Sequence, residues 1–248
     1  MKSRRAVTVL FVGASILMLT ATPAVADVGA DGISDDMVFG QDISDYQSGF
    51  DIAGAAKQHD MSFVMAKATE GERLVSDTFE GNWQAAADAG LIRGAYHYAH
   101  PEQDPIAEAD HFWWTVSDAG GVRDGDFLVL DIEDRNGRTY REISAWCQEF
   151  LLRMESHLGT SDGLMIYTNR NFGANLSGLS SYPLWVAEYD DPPTPGELDA
   201  PVGEWGDDWV MHQYSDRTIP RNAVRMSEDD LRDIGYQSRA WYSEFFDY

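Results

Sequence analysis

Two acidic residues follow a short, strongly apolar segment of the chain. Residues 127–130 read Phe-Leu-Val-Leu, and Asp131, Ile132 and Glu133 come next. Side chains two apart in a strand lie on one face, with attachment points roughly 6.5–7 Å apart. Carboxyl groups this close oppose each other's ionisation, so one pKa should rise. A carboxylic acid that keeps its proton near neutral pH is the general acid that glycoside hydrolysis needs.

The same pair could instead be a helix cap and a surface charge, because D-x-E alone is weak evidence. A third acid favours the catalytic interpretation. Asp42 ends another apolar segment, residues 38–43, whereas Asp45 in the following loop could simply be solvated. The strand ends of a β/α barrel meet at one rim, so Asp42, Asp131 and Glu133 would share a site there.

Aromatic and polar side chains recur at the other predicted strand ends. Aromatic faces complement the C–H faces of sugar rings, while carboxylates and amides complement the hydroxyl edges. Any one of these aromatics, taken alone, is more simply explained by core packing. Lys67 differs, because a lysine in a buried strand needs a carboxylate partner or a wet rim. The other candidates are Tyr96, His97, Tyr98, Tyr167, Trp185, Tyr189, Gln213 and Tyr214.

Strand-length apolar segments alternate with helical segments from residue 38 onward. The predicted strands are 38–43, 62–68, 92–98, 127–133, 164–168, 184–189, 209–214 and, more weakly, 223–226. The predicted helices are 77–89, 105–118 and 140–158. After residue 170 the gaps are rich in Pro, Gly and Asp. The pattern predicts one α/β domain, a TIM-like β/α barrel that has lost most of its late helices, and a doubly wound open sheet is the alternative.

Composition excludes several classes of function. The 248 residues carry 18 basic and 42 acidic side chains, a formal net charge of -24, which disfavours nucleic acid and anionic lipid as partners. The single cysteine, Cys147, rules out an intramolecular disulfide framework and a Cys-based zinc site. The histidines form no zinc-binding motif, and no serine-hydrolase motif occurs. We therefore expect the protein to need neither a metal ion nor another cofactor. We also expect it to be a monomer.

The N-terminus has the features of a secretory signal peptide. A basic start precedes an apolar run that is too short for a membrane span, and residues 24–26 form an A-x-A cleavage site. We expect residues 1–26 to be removed, 27–37 to form an acidic leader, 38–235 the catalytic barrel and 236–248 an aromatic tail. The mature protein would be secreted to the extracellular space or cell wall, without a membrane anchor.

Seven segments together resemble glycoside hydrolase family 25, the Chalaropsis-type lysozymes. They follow the family's order and spacing across about residues 38–235. The segments are GQDIS at 40–44 with Gln47, FVMAKATEG at 63–71, GAYHY at 94–98, LVLDIE at 128–133, IYT at 166–168, LWVAEY at 184–189 and QYS at 213–215.

The resemblance implies an irregular barrel of about five β/α units followed by three strands. It implies hydrolysis of the β-1,4 bond between N-acetylmuramic acid and N-acetylglucosamine in bacterial peptidoglycan. On the family pattern Glu133 is the general acid/base, Asp131 its partner and Asp42 part of the acidic floor. The residues that would line the saccharide groove are Lys67, Tyr96, Tyr167, Trp185, Tyr189 and Gln213.

The chain also departs from the family pattern. Family members carry an Asp on the last strand, where this alignment places Arg225, and Glu188 and His212 also differ from the residues expected there. Asp229 and Asp230 fit better as the start of a capped final helix. The missing acid leaves open a catalytically weak wall-binding barrel. A chitinase-like or endo-glycosaminidase-like hydrolase is a further alternative, because such enzymes also use a D-x-E pair.

Overall fold

The computed structural model describes residues 37–238, so the predicted signal peptide, nearly all of the leader and tail residues 239–248 lie outside the described part. Eight strands form a closed barrel, as the sequence predicts, and β3 adds a short hairpin outside it. The strands are β1 (Val38–Ile43), β2 (Met61–Glu70), β3 (Leu74–Val75), β4 (Ile92–Tyr98), β5 (Phe127–Asp131), β6 (Leu164–Asn169), β7 (Leu184–Ala187), β8 (Met211–Ser215) and β9 (Arg221–Val224).

The barrel closes through β1, which pairs with β2 on one side and β9 on the other. Neighbouring barrel strands from β1 through β8 run parallel, whereas β9 is antiparallel to both β8 and β1. The connection from β8 to β9 is only five residues long, 216–220, too short for the crossover that a parallel strand would need. The last strand therefore departs from the all-parallel strand order of a TIM barrel.

Six helices accompany the strands within residues 37–238. They are α1 (Ile52–His59), α2 (Phe79–Asp88), α3 (Pro105–Asp118), α4 (Tyr140–Leu158), α5 (Arg170–Gly173) and α6 (Glu228–Ile234). Each of the first five follows a barrel strand, and β7, β8 and β9 come afterwards, which confirms the predicted division into five β/α units and three strands.

Local capping explains why two helices were predicted with the correct bounds. Asp104 accepts hydrogen bonds from the first turn of α3, and Pro105 follows at the start of that helix. Thr139 and Glu142 form a capping box on α4, which ends at Gly159 in the left-handed conformation. Helix α1 was not predicted, because it has eight residues, contains Gly54 and ends at a left-handed aspartate, Asp60, rather than a glycine.

The core consists of two apolar clusters separated by the sheet. The outer cluster lies between the strands and the helices and includes Trp83, Phe112 and Phe150. The inner cluster fills the barrel and includes Phe63, Met65 and Leu231. Because Leu231 belongs to α6, the last helix packs against the side chains inside the barrel.

Gly40 leaves room for an aromatic ring inside the barrel. A Cβ atom at this position would lie 2.3 Å from Phe63 Cδ2 and 2.5 Å from its backbone oxygen. We expect Gly40→Ala to lower the free energy of unfolding by about 1–3 kcal/mol, the usual cost of overpacking a core. Chemical denaturation monitored by circular dichroism measures the effect.

Gly81 provides the matched control for this substitution. It is exposed within α2, and a Cβ atom added there would have no neighbouring atom within 4 Å. Gly81→Ala should therefore stabilise the protein by up to about 1 kcal/mol through helix propensity. Equal stabilities for Gly40→Ala and the unmutated protein would contradict the packing inside the barrel.

No helix within residues 37–238 is both long enough and apolar enough to cross a membrane.

Candidate active site

The carboxyl ends of neighbouring strands bring the predicted site residues to one rim of the barrel. Asp131 at the end of β5 lies beside Tyr98 of β4 and Tyr167 of β6. Tyr167 in turn pairs with Trp185 of β7, and their rings meet edge to face with centroids 4.5 Å apart. The acids and several of the aromatics identified in the sequence therefore share one surface.

Asp131 and Glu133 form a closely coupled pair at this rim. Strand β5 ends at Asp131, so Glu133 lies just beyond the strand rather than within it as predicted. The two carboxyl groups are hydrogen-bonded to each other. Two carboxyl groups this close disfavour each other's ionisation, because both would carry a negative charge.

Burial disfavours the charged form of both carboxyl groups. Asp131 is 5% exposed, and its Oδ1 has no hydrogen-bond partner within residues 37–238. Burial and the adjacent Glu133 charge raise the pKa of Asp131 well above its ordinary value. Burial and the charge of Asp134 also raise the pKa of Glu133. The sequence-based expectation of a raised pKa in this pair thus has a structural cause.

Asp42 is held by two side-chain amides. Its Oδ2 accepts hydrogen bonds from Gln213 Nε2 at 2.7 Å and from Asn222 Nδ2 at 2.8 Å. The orientation of the Asn222 amide is fixed, because its Oδ1 accepts the Trp185 indole N–H at 2.8 Å. Burial raises the pKa of Asp42 to about 6, although both amide donors oppose that rise.

Gln213 links Asp42 to two tyrosines. Its Oε1 accepts hydrogen bonds from the Tyr167 hydroxyl at 2.8 Å and from the Tyr189 hydroxyl. Tyrosine hydroxyls donate to the amide oxygen and the carboxylate accepts from the amide nitrogen, so both ends of the Gln213 amide are used. This network fixes one wall of the site around Asp42.

Lys67 has the carboxylate partner that its position in a strand requires. Its Nζ lies 2.5 Å from Glu70 Oε2 and 5.1 Å from the centre of the Tyr98 ring. Glu70 also contacts His100 Nε2 at 3.0 Å, and His100 Nδ1 lies 3.2 Å from Glu102. Glu102 accepts a hydrogen bond from Asn136, which ties these residues to the loop that carries Glu133.

Tyr96 lies between the acidic residues and the aromatic wall. Its ring meets Trp185 edge to face at 6.4 Å, and its hydroxyl is hydrogen-bonded to Ser44. Burial and the nearby charges of Asp42 and Asp131 raise the pKa of Tyr96 well above its ordinary value. Tyr96 therefore stays a neutral hydroxyl group at the floor of the site.

Two aromatic candidates from the sequence lie elsewhere. His97 is fully buried on the helix side of the sheet, where it contacts Thr69 at 2.8 Å and Glu108 at 2.7 Å. Tyr214 is on the outer face of β8, because its neighbour Gln213 points inward. The alternation of side chains along a strand separates both residues from the site.

Arg225 does not occupy the supporting position in which the sequence alignment placed it. Its guanidinium lies 3.8 Å from the centre of the Trp209 ring and donates to the backbone oxygen of Asp207. Because β9 is antiparallel, its first residues, rather than its last, reach the rim, and Asn222 contacts Asp42 there. Arg225 therefore lies outside the acidic site, and Asn222, which contacts Asp42, was not identified from the sequence.

The structure also resolves the other departures. Ser227 caps α6 by accepting a hydrogen bond from the backbone of Asp230 at 3.1 Å, which confirms the predicted capped helix. Glu188 pairs with Arg170, and His212 Nε2 lies 2.8 Å from the backbone oxygen of Glu188. Glu188 and His212 therefore fix the loop that follows β7 and do not contact Asp131 or Glu133.

One exposed aromatic residue near the site was not identified from the sequence. Tyr46 lies in the short turn after β1 and is 96% exposed, and Tyr189 is 47% exposed. Exposed aromatic rings beside a polar cleft are suited to stacking on sugars. Within residues 37–238, no group of three or more His, Cys, Asp or Glu side chains is arranged to hold a metal ion.

The sequence matches the family described as Glycosyl hydrolases family 25 over residues 41–222. Lysozyme M1 of Streptomyces globisporus is 32% identical over 194 residues, which cover 72% of this chain and 62% of that protein. The N,O-diacetylmuramidase of Arthroderma benhamiae is 32% identical over 206 residues, covering 76% and 83%. Alignments with the uncharacterized YegX proteins of two Escherichia coli strains, CFT073 and K12, span 56% of their length.

Solved structures of a lysozyme and a muramidase are also similar to this chain. The bacterial lysozyme from Streptomyces coelicolor superposes with a TM-score of 0.68 at 29% identity, covering 82% of this chain and 99% of that one. The muramidase from Trichobolus zukalii gives a TM-score of 0.70 at 29% identity, covering 81% and 100%. The family match covers well over half of the chain and includes the strands that carry the acids. The chain belongs to glycosyl hydrolase family 25.

Proposed function

We propose that this protein is a secreted peptidoglycan hydrolase that cleaves the β-1,4 bond between N-acetylmuramic acid and N-acetylglucosamine. The proposal rests on one observation above the others: the neighbouring carboxyl groups of Asp131 and Glu133, whose pKa values are both raised, lie at the rim of a family 25 barrel. The names of the lysozyme and muramidase relatives support this choice of substrate.

Glu133 is assigned as the general acid/base. It lies past the end of β5 and is less buried than Asp131, so it can approach a substrate in the cleft. Because its pKa is raised, the Glu133 carboxyl group can keep a proton and donate it to the departing glycosidic oxygen. The resulting carboxylate can then remove a proton from the attacking water.

Asp131 is assigned as the partner of Glu133. Its Oδ1 has no hydrogen-bond partner within residues 37–238, although it is buried. Buried polar atoms are normally satisfied, so a free carboxyl oxygen at a cleft is suited to a polar group of the substrate. The N-acetyl group next to the scissile bond presents an N–H donor of the required kind.

Asp42 and its amide partners form the polar floor for the sugar. Lys67, Tyr96, Tyr167, Trp185, Tyr189 and Gln213 are the proposed saccharide-contacting residues. The exposed Tyr189 ring is suited to stacking on a sugar face. The buried Tyr167, Trp185 and Gln213 hold the exposed groups in position.

Asn222→Leu tests the role of Asp42. The substitution removes one of the two amide donors that favour the charged carboxylate, so the pKa of Asp42 should rise above its present value of about 6. If activity needs the Asp42 carboxylate, the ascending limb of the kcat/KM profile should move to higher pH by about one pH unit.

Asn175→Leu is the control for the Asn222 substitution. Asn175 is exposed and donates to the backbone of Asn171, outside the site. Its pH profile should match that of the unmutated protein. An ascending limb at the same pH in Asn222→Leu would contradict the assignment of Asp42.

The release of reducing ends from purified peptidoglycan tests the proposed function. We expect a steady increase in reducing ends with the unmutated protein. Wall binding without any release would instead support the non-catalytic wall-binding barrel. Arg225 was the reason for considering that alternative, and it contacts Trp209 rather than the acidic residues.

A further inference from the structure

A groove runs along the outer wall of the barrel, behind the floor of the site. Two adjoining cavities of about 170 and 470 Å³ form it, and Gln41, His59, Tyr214 and Arg221 line both. In the described part of the chain, no α-helix follows β7 or β8 to cover this wall, and the connection from β7 to β8 holds only a three-residue 3-10 helix, Gly203–Trp205. Each of three lining residues is adjacent in sequence to a member of the site network: Gln41 to Asp42, Tyr214 to Gln213 and Arg221 to Asn222.

Gln41 is an unsatisfied buried amide in this groove. The residue is 8% exposed, and its Oε1 has no hydrogen-bond partner within residues 37–238. A buried polar group without a partner destabilises the fold, so its presence calls for an explanation. Because an amide both donates and accepts, the group best suited to Gln41 is another amide.

The groove is basic although the chain is acidic. Arg217, Arg221 and His59 line it, and none of the residues that line the two cavities is an Asp or Glu. Arg217 is paired with the exposed Asp191 outside the groove, so Arg221 is the arginine available to a ligand. The whole chain has 42 acidic against 18 basic residues, so this composition is unusual for its surface. Arg221 is hydrogen-bonded to Tyr214 and forms no salt bridge with a carboxylate in the described part of the chain.

The upper end of the groove reaches the rim of the active site. Thr218, in the connection between β8 and β9, lines the groove and accepts a hydrogen bond from Gln47 Nε2 at 3.4 Å. Gln47 belongs to the turn that directly follows β1 and Asp42. A chain attached to a sugar in the cleft can therefore pass over this connection onto the outer wall.

We propose that the groove binds the peptide portion of peptidoglycan, a short peptide with a free carboxylate. This inference rests on the proposed function and names a second part of the same substrate. The carboxylate pairs with the Arg221 guanidinium, and a peptide amide pairs with the Gln41 side chain. An extended peptide of five residues spans about 17 Å, the length of a typical barrel strand.

The unpaired Gln41 oxygen favours a peptide over a phosphate polymer. A phosphodiester link offers acceptor oxygens and no donor, so it would satisfy Arg221 but leave Gln41 Oε1 unpaired. A peptide supplies an N–H donor and a carbonyl acceptor beside its carboxylate. The two sources of negative charge are thus distinguishable by the contribution of Gln41.

Titration calorimetry with soluble peptides tests the inference without any hydrolysis. The probes are the tetrapeptide L-Ala-D-Glu-L-Lys-D-Ala with free carboxylates and the same peptide with both carboxylates amidated. We expect the free acid to bind the full chain at least about tenfold more tightly, because a charge-assisted pair is lost in the amide. Gln41→Leu and Arg221→Met should each weaken binding of the free acid about tenfold.

Arg225→Met is the matched control, because Arg225 directly follows the same strand but contacts Trp209 outside the groove. It should leave peptide binding unchanged, and Arg221→Met should leave hydrolysis of soluble glycan unchanged.

Equal affinity for the two peptides, or full affinity in Arg221→Met, would overturn the inference. So would tighter binding of dimethyl phosphate, a phosphodiester without a hydrogen-bond donor, with no effect of Gln41→Leu. Peptide binding without reducing-end release would refute the proposed function alone, and release without peptide binding would refute this inference alone.

Discussion

Glu133→Gln is expected to lower the rate of reducing-end release from peptidoglycan by about 10³-fold, the size of a typical general acid–base contribution. The glutamine side chain has nearly the same shape but cannot transfer a proton to the glycosidic oxygen. The substitution also removes a carboxyl group whose charge is disfavoured beside Asp131, so the fold should be retained. Initial rates on purified peptidoglycan and thermal unfolding of the variant measure the two effects separately.

Asp134→Asn is the control for Glu133→Gln. Asp134 directly follows Glu133, is exposed, and changes the net charge by the same amount when replaced. Its rate should stay within a few-fold of the unmutated protein. A rate for Glu133→Gln that also stays within a few-fold would remove Glu133 from the chemistry.

Asp131→Asn should reduce activity and increase stability at neutral pH. The activity should fall about 10²-fold, because the variant cannot share a proton with Glu133 and presents a different group to the substrate. The stability effect follows from burial. A carboxyl whose folded pKa is raised favours folding fully below its unfolded pKa of 3.8, and that contribution is lost as the pH rises towards the folded pKa.

Urea denaturation at several pH values between 4 and 8 measures this effect. The difference in unfolding free energy between Asp131→Asn and the unmutated protein should grow in favour of the variant as the pH rises. Asp134→Asn again controls for net charge and should show no such growth. A variant that becomes progressively less stable than the unmutated protein towards pH 8 would contradict the raised pKa of Asp131.

The sequence was sufficient to predict the acidic pair because two simple rules apply to it. An apolar run of four residues forms a buried strand, and the acids at its end reach the rim, although Glu133 lies just past the strand rather than on its face. Asp42 followed from the same argument, because parallel strands present their carboxyl ends at one rim. These rules need no information about contacts distant in sequence.

Other parts of the site depend on such distant contacts. Asn222 was missed because its position at the rim follows from the antiparallel direction of β9, which a short apolar segment does not reveal. His97 was included among the strand-end candidates, although it packs between Phe112 and Phe150 on the helix side. Lys67 was expected to have either a carboxylate partner or a wet rim. The sequence did not identify Glu70 as that partner, because the contact depends on where β2 ends.

The carboxyl pair and the amides around Asp42 illustrate how stability and function oppose each other in this barrel. Asp42, Asp131 and Glu133 all have pKa values raised by burial, so each is held in an environment that disfavours its charge. Such groups cluster at functional sites, because the same burial that destabilises the fold tunes acids for proton transfer. The rest of the barrel must offset that cost through its two apolar clusters.

The identity of the sugar at the new reducing end tests the central claim most directly. Purified peptidoglycan is digested with the unmutated protein, the products are reduced with borohydride, and their masses are determined, with Glu133→Gln as the blank. We predict fragments that end in reduced N-acetylmuramic acid and are missing from the blank. Fragments that end in reduced N-acetylglucosamine, or equal products from both proteins, would contradict the account.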